Sequence, residues 1–227
     1  MKKTFLLTIS LGVIALMAGC KKDNYKAMDS ILSGRVLYQN LPVEVRSNGV
    51  QLELWQSGFE LFTKIAVHVN QDGTFAASLF NGDYKLTRLR GNGPWADNTD
   101  TINVRVNGNT TVDVPVDPYF VIKSATFTRS GNDINASITI QRVNTTKALE
   151  LVRLYIGPTY VTDQNNNAAS NQKLAAAITD LNQPVTLTAT IPAALVSSKD
   201  YVYVRAGVKT LGVAELVYSA SQKIMLK

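Results

Sequence analysis

The sequence predicts an all-β protein built from two consecutive antiparallel β-sandwiches. Three observations predict it. Asp72-Gly73 and Asn81-Gly82 are turn signals, because glycine adopts φ > 0 without steric cost. Apolar and polar residues alternate around those turns and again at Ile134, Ala136, Ile138 and Ile140, the period of a half-buried strand. Many short runs of this kind follow one another with almost no helical patterning, as a sandwich requires.

Residues 1–19 precede both sandwiches. Lys2-Lys3 forms a basic start, Thr4 to Met17 an apolar core, and Met17-Ala18-Gly19-Cys20 a run of small residues into a cysteine. That is a secretory signal, and its apolar run is too short to span a bilayer comfortably. The small residues before Cys20 resemble a bacterial lipobox. The resemblance implies cleavage before Cys20 and thioether lipidation of it; the plainer alternative is an ordinary signal peptide with an incidental cysteine. Cys20 is the only cysteine, so the mature fold rests on apolar burial without a disulfide. A hydrophobic content of 45% in 227 residues supplies that burial for two domains of about 100 residues.

Removing residues 1–19 takes away Lys2 and Lys3 and no acid. Lys+Arg falls from 23 to 21 against 17 acids, and the net charge from +6 to +4. The excess is mild and scattered, with no basic stripe interleaved with aromatics, so no nucleic-acid partner is expected. Residues 20–30 read as a polar, lipidated tether. Lys22-Asp23 partly resembles the surface-export signal that follows the lipidated cysteine in some glycan-degrading Gram-negative bacteria. The expected location is the outer membrane, on the cell surface or on the periplasmic face.

The first domain spans 31–117. Ser33-Gly34-Arg35-Val36-Leu37 opens it. Val50, Leu52 and Leu54 alternate with Gln51, Glu53 and Trp55; Ile65, Val67 and Val69 alternate with Lys64, Ala66 and His68. The Asn70–Leu86 segment reads as strand, turn, short strand, turn, strand. Thr101–Val106 and Thr111–Val116 read as a closing hairpin around Asn107-Gly108. Asp117-Pro118 marks the boundary, since proline interrupts pairing and the alternation starts afresh.

Ser33-Gly34-Arg35-Val36, Asp72-Gly73-Thr74-Phe75 and Phe80-Asn81-Gly82-Asp83-Tyr84-Lys85-Leu86 resemble the carboxypeptidase regulatory-like, transthyretin-like β-sandwich. Gly91-Asn92-Gly93-Pro94-Trp95, Asp100-Thr101-Ile102-Asn103-Val104 and Pro118-Tyr119-Phe120 are more particular. They resemble a family of lipoproteins of unknown function encoded beside starch-utilisation-type outer-membrane systems. The resemblance implies a surface accessory role in glycan capture and carries over no catalytic residue.

The second domain spans 118–227. Val121–Thr128, Ile134–Gln141, Leu149–Ile156 and Pro184–Ile191 read as strands. Asp163–Gln172, with three consecutive asparagines, reads as an exposed mobile loop. Leu174–Leu181 reads as a helical turn or a weak strand. Leu195 lies six residues before Tyr201, which begins the strand Tyr201–Ala206. This spacing resembles the tyrosine corner of fibronectin type III and immunoglobulin-like sandwiches, giving Leu195 and Tyr201 structural roles.

Chemistry is sparse. His68 is the only histidine and sits mid-strand, which suits neither a two-histidine metal site nor a triad base. Asp97, Asn98 and Asp100 could offer oxygen ligands to calcium, but turn chemistry accounts for them equally, and no metal or cofactor is expected. Arg35 stands where an isopeptide crosslink would want lysine. No enzymatic activity is expected.

Binding surfaces remain. Sugars are held by aromatic faces together with amide and acid side chains. Trp95 with Asn92, Asp97 and Asn98 has the best composition for a subsite; the alternative is that Trp95 caps the first sandwich or plugs the domain interface. Trp55 and Tyr160 are further ligand candidates with packing as their alternative. The expected function is a non-catalytic, glycan-binding surface lipoprotein of a polysaccharide-uptake system. The alternative is an assembly subunit without sugar affinity. The corresponding partners are the membrane through the lipid anchor, a polysaccharide or oligosaccharide, and an outer-membrane transporter or second lipoprotein.

Overall fold

The computed structural model describes residues 27–58 and 62–227. The expected signal, Cys20 and most of the expected tether lie outside them. Two β-sandwiches follow one another. In the first, β1 (Ser30–Tyr38), β2 (Leu41–Pro42) and β5 (Thr74–Leu79) belong to one sheet; β3 (Gln51–Gln56), β4 (Lys64–His68), β6 (Gly82–Arg88) and β7 (Ile102–Val106) form the other. The order of the second sheet is β4-β3-β6-β7, antiparallel throughout. The alternating apolar residues meet between the sheets: Leu32, Val36, Leu52, Leu54, Val67, Phe75, Leu86 and Val104 are all buried.

The closing hairpin is not formed. Beyond Asn107-Gly108 the chain crosses to the other sheet. There β8 (Thr110–Thr111) and β9 (Val114–Pro115) run parallel to β1. Burial of Val114 against the first-sheet side of the core is gained by this crossing, and β1 acquires partners on both flanks. The two glycine turns likewise join sheets rather than hairpin strands. Gly73 adopts φ 80° as expected, and the Asp72 carboxylate accepts from the Thr74 amide at 3.0 Å. Gly82 lies within β6, where a Cβ would stand 2.7 Å from the Gln56 side-chain nitrogen.

In the second sandwich, β10 (Phe120–Ser130), β11 (Asp133–Arg142) and β14 (Val185–Thr190) face β12 (Leu149–Gly157), β13 (Ala169–Leu174), β15 (Tyr201–Thr210), β16 (Val217–Tyr218) and β17 (Gln222–Met225). Ile134, Ala136, Ile138 and Ile140 fill its core against Val152, Leu154, Val202 and Val204. Only the middle of the Asp163 segment, residues 165–168, is an exposed loop. Thr162 and Asp163 are fully buried, the Asp163 carboxylate accepts from the amides of Asn165 and Asn166, and 169–174 is a strand paired with β12. Leu195 lies in a short helix, α1 (Ala193–Ser198), partly buried against this core. No helix among the described residues is long and apolar enough to cross a membrane.

The sandwiches are locked together by buried charge. Arg205, on the outward face of β15, has no exposed surface. Its guanidinium donates to the carbonyls of Ser219, Val45 and Gln71 at 2.7, 3.0 and 2.9 Å, and approaches the Glu44 carboxylate at 3.4 Å. Burial lowers its pKa, opposed by Glu44; burial raises that of Glu44, opposed by Arg205. The Tyr218 ring lies against the guanidinium, 4.4 Å from centroid to carbon. Arg46 adds a two-point pair with Glu215 at 2.5 and 3.2 Å, and the Tyr218 amide donates to the Glu44 carbonyl.

Candidate functional site

The outward face of the β4-β3-β6-β7 sheet carries an open, aromatic-lined candidate site. Alternation sends Leu52 and Leu54 inward, so Gln51, Glu53 and Trp55 project outward. The register places Lys64 and Lys85 on either side of Trp55, with Asn103 beyond Lys85. In the next outward row Asp83 stands opposite Arg105. Phe62, 57% exposed, brings its ring to 5.3 Å from that of Trp55 at an interplanar angle of 34°. Trp55, Phe62, Asp83, Lys85, Asn103 and Arg105, with Ser57, line an open cavity of about 390 Å³.

The Trp55 ring is fixed rather than free: its indole nitrogen donates to the Thr87 hydroxyl at 3.3 Å. Below it, buried Tyr84 donates to the Phe80 carbonyl at 3.0 Å, and burial pushes its phenol pKa up. Lys64 is committed to Glu53 at 2.6 Å. The site thus combines an aromatic pair with an acid, an amide and two cations. That is the donor and acceptor mixture that grips hydroxyls while a ring takes the C–H face.

The other predicted site residues lie elsewhere. Trp95 is only 4% exposed and packs in the first sandwich core. Its backbone bridges to Pro118, and Ala96 donates to the Asp117 carbonyl, so the ring seals the inter-domain corner and offers no stacking face. Asn92 serves the fold, accepting from the Gln51 amide at 2.6 Å and donating to the Gly49 carbonyl at 3.1 Å. Asp97 accepts from the Gly91 amide and Asn98 from the Asp100 amide, which is turn chemistry. His68 is exposed on β4 with its ring nitrogen 3.4 Å from the Gln51 side chain.

Tyr160 is 52% exposed and meets Tyr203 edge-on at 5.7 Å; Tyr203 meets Tyr201 in the same way. Tyr201 lies on the outward side of β15 with the Lys223 ammonium 3.8 Å over its ring, rather than at a corner. The structure therefore separates Trp95 from any surface and keeps Tyr160 in a second aromatic cluster. Around Trp55 it assembles Phe62, Asp83, Lys85, Asn103 and Arg105. None of those five is singled out in the linear sequence; cross-strand register finds the four on β6 and β7, and Phe62 joins them by its ring contact with Trp55.

Two family profiles match the chain. One is the N-terminal domain of a protein of unknown function, DUF3823, over residues 30–117; the other is a domain of unknown function, DUF3823_C, over residues 120–223. A DUF3823 family protein from Bacteroides ovatus is 39% identical, with 87% of this chain and 100% of that chain covered and a TM-score of 0.81. Another from Parabacteroides merdae is 34% identical, with coverage of 88% and 100% and a TM-score of 0.80. A more distant structure from Bacteroides uniformis is 18% identical, with coverage of 87% and 99% and a TM-score of 0.69. It bears the provisional name of a carbohydrate binding protein. No curated protein matches.

Proposed function

The chain belongs to the DUF3823 family, and from that premise we propose that it is a non-catalytic, glycan-binding accessory of a polysaccharide-uptake system. In this reading a lipid on Cys20 holds it at the outer membrane, facing the cell exterior. The observation that carries the proposal is the Trp55–Phe62 pair set in a cavity with Asp83, Lys85, Asn103 and Arg105. The provisional name of the distant Bacteroides uniformis relative points the same way.

The test is retardation of the purified two-domain protein in native gels cast with a panel of polysaccharides, with Trp55→Ala alongside. Trp55→Ala is expected to weaken binding by about 2 kcal/mol, roughly thirtyfold, with the β-sheet circular dichroism unchanged. Retention that Trp55→Ala leaves intact would move the site elsewhere. Absence of retention across the panel would sink the glycan reading.

A second reading, an assembly subunit, has its own observation. At the domain junction, Leu41, Pro42, Ile122, Phe127 and Val217 help line an open groove of about 700 Å³. The strands β10 and β17 end their sheets there, and free edges are where other chains add strands. Stable co-purification with an outer-membrane protein, without sugar affinity, would favour it.

A further inference from the structure

Lys85 and Arg105 both stand on the outward face that carries Trp55. They occupy diagonal positions in a square of outward side chains: Lys85 lies opposite Asn103, and Asp83 opposite Arg105. Diagonal neighbours across an antiparallel pair are about 7–8 Å apart, close enough for both long side chains to converge on one group. Both are exposed. Among the described residues, neither has a carboxylate within ion-pair distance, not even Asp83. The contrast with Lys64, across Trp55 and paired with Glu53 at 2.6 Å, is direct. One cation beside the ring is neutralised locally and two are left open.

We propose that this face takes an acidic polysaccharide, and the proposal rests on the glycan-binding reading above. A sugar ring packs on Trp55 and Phe62 while Lys85 and Arg105 hold its anionic substituent, a carboxylate of a uronic acid or a sulfate ester. Arginine presents a planar fork that matches either oxyanion, and lysine adds a point charge. Asp83 and Asn103, at the other corners of the square, take hydroxyls as acceptor and donor. Exposed charge attraction fades as salt shortens the screening length, so binding here is salt-dependent where stacking alone would not be.

The experiment measures affinity of the two-domain protein for polygalacturonate, dextran sulfate and uncharged dextran and pullulan. Salt is set at about 0.1 M and about 0.5 M, which brackets strong and weak screening. Lys85→Gln/Arg105→Gln is compared with Lys123→Gln/Lys199→Gln, which removes the same charge from the second domain. The expected result is binding to one acidic polymer and not to the neutral ones. It weakens at least about tenfold in Lys85→Gln/Arg105→Gln, weakens in high salt and is unchanged in the control. Polygalacturonate against dextran sulfate decides carboxylate from sulfate. Neutral-glycan binding that needs Trp55 but not the two cations would overturn this inference and leave the glycan reading standing. Equal loss in the control would reduce the effect to net charge and overturn it as well. No binding to any polymer would remove both.

Discussion

Arg205 shows how much of this molecule turns on single buried groups. Three carbonyls and a carboxylate from both domains surround its guanidinium. Replacing it by methionine keeps the volume but strips those acceptors of their donor. Breaking a buried ionic network from one side costs about 3–5 kcal/mol, so Arg205→Met is expected to lower the unfolding free energy by that amount, read as a lower urea midpoint at unchanged slope. Glu44 carries a pH signature. Burial raises its folded pKa above the ordinary carboxylate value, so the folded state holds that proton more tightly than the unfolded state. Its contribution is fully present at low pH and is lost as pH rises through the raised folded value. Wild-type stability is therefore expected to fall relative to Glu44→Gln as pH rises from the ordinary carboxylate range through the raised folded value, read from paired thermal melts. Neither residue is legible in the sequence. Arg205 reads as one polar residue on an alternating strand, because its partners across the junction lie 134 to 161 residues away. Trp95 misleads for the same reason: its glycine- and asparagine-rich surroundings read as surface, yet the loop folds back against Pro118.

At the scale of elements, alternation finds most strands and composition says little about which sheet receives them. Ile134–Ile140 and Leu52–Leu54 are read correctly because one face is apolar without interruption. The Thr111–Val116 stretch also alternates, yet it runs parallel to β1 instead of pairing with β7. A two-residue turn signal does not distinguish a hairpin from a crossing between layers. Asp163–Gln172 reads as one loop because its polarity hides a buried aspartate that ties up successive amides and a strand that begins at Ala169. The crossing leaves a mark that can be tested. A Cβ on Gly34 in β1 would stand 1.7 Å from the Val112 carbonyl oxygen, so no side chain fits between β1 and its parallel neighbour. Gly34→Ala is expected to destabilise by at least about 2 kcal/mol, measured by chemical denaturation.

Taken whole, the chain is two sandwiches that share their boundary. Val217 and Ile122, from the second domain, pack with the core of the first, and the Arg46–Glu215 and Arg205–Glu44 pairs cross beside them. Domains joined only by a linker unfold separately; here a single calorimetric transition is expected, with calorimetric and van't Hoff enthalpies equal. The order and class of the two domains are legible from the sequence, but this mutual burial is not, because it is written in residues that each belong to a different sandwich. The placement of β1 has a mechanical consequence. The strand begins at Ser30, near the N-terminal end of the described residues, and is bonded along its length to β5 and β2 on one side and to β8 and β9 on the other. A pull from the N-terminus acts along its axis and loads those hydrogen bonds together, in shear rather than one after another. A protein moored by that end to a membrane, with a long polymer tugging at its outer face, would meet drag with a ladder loaded in shear.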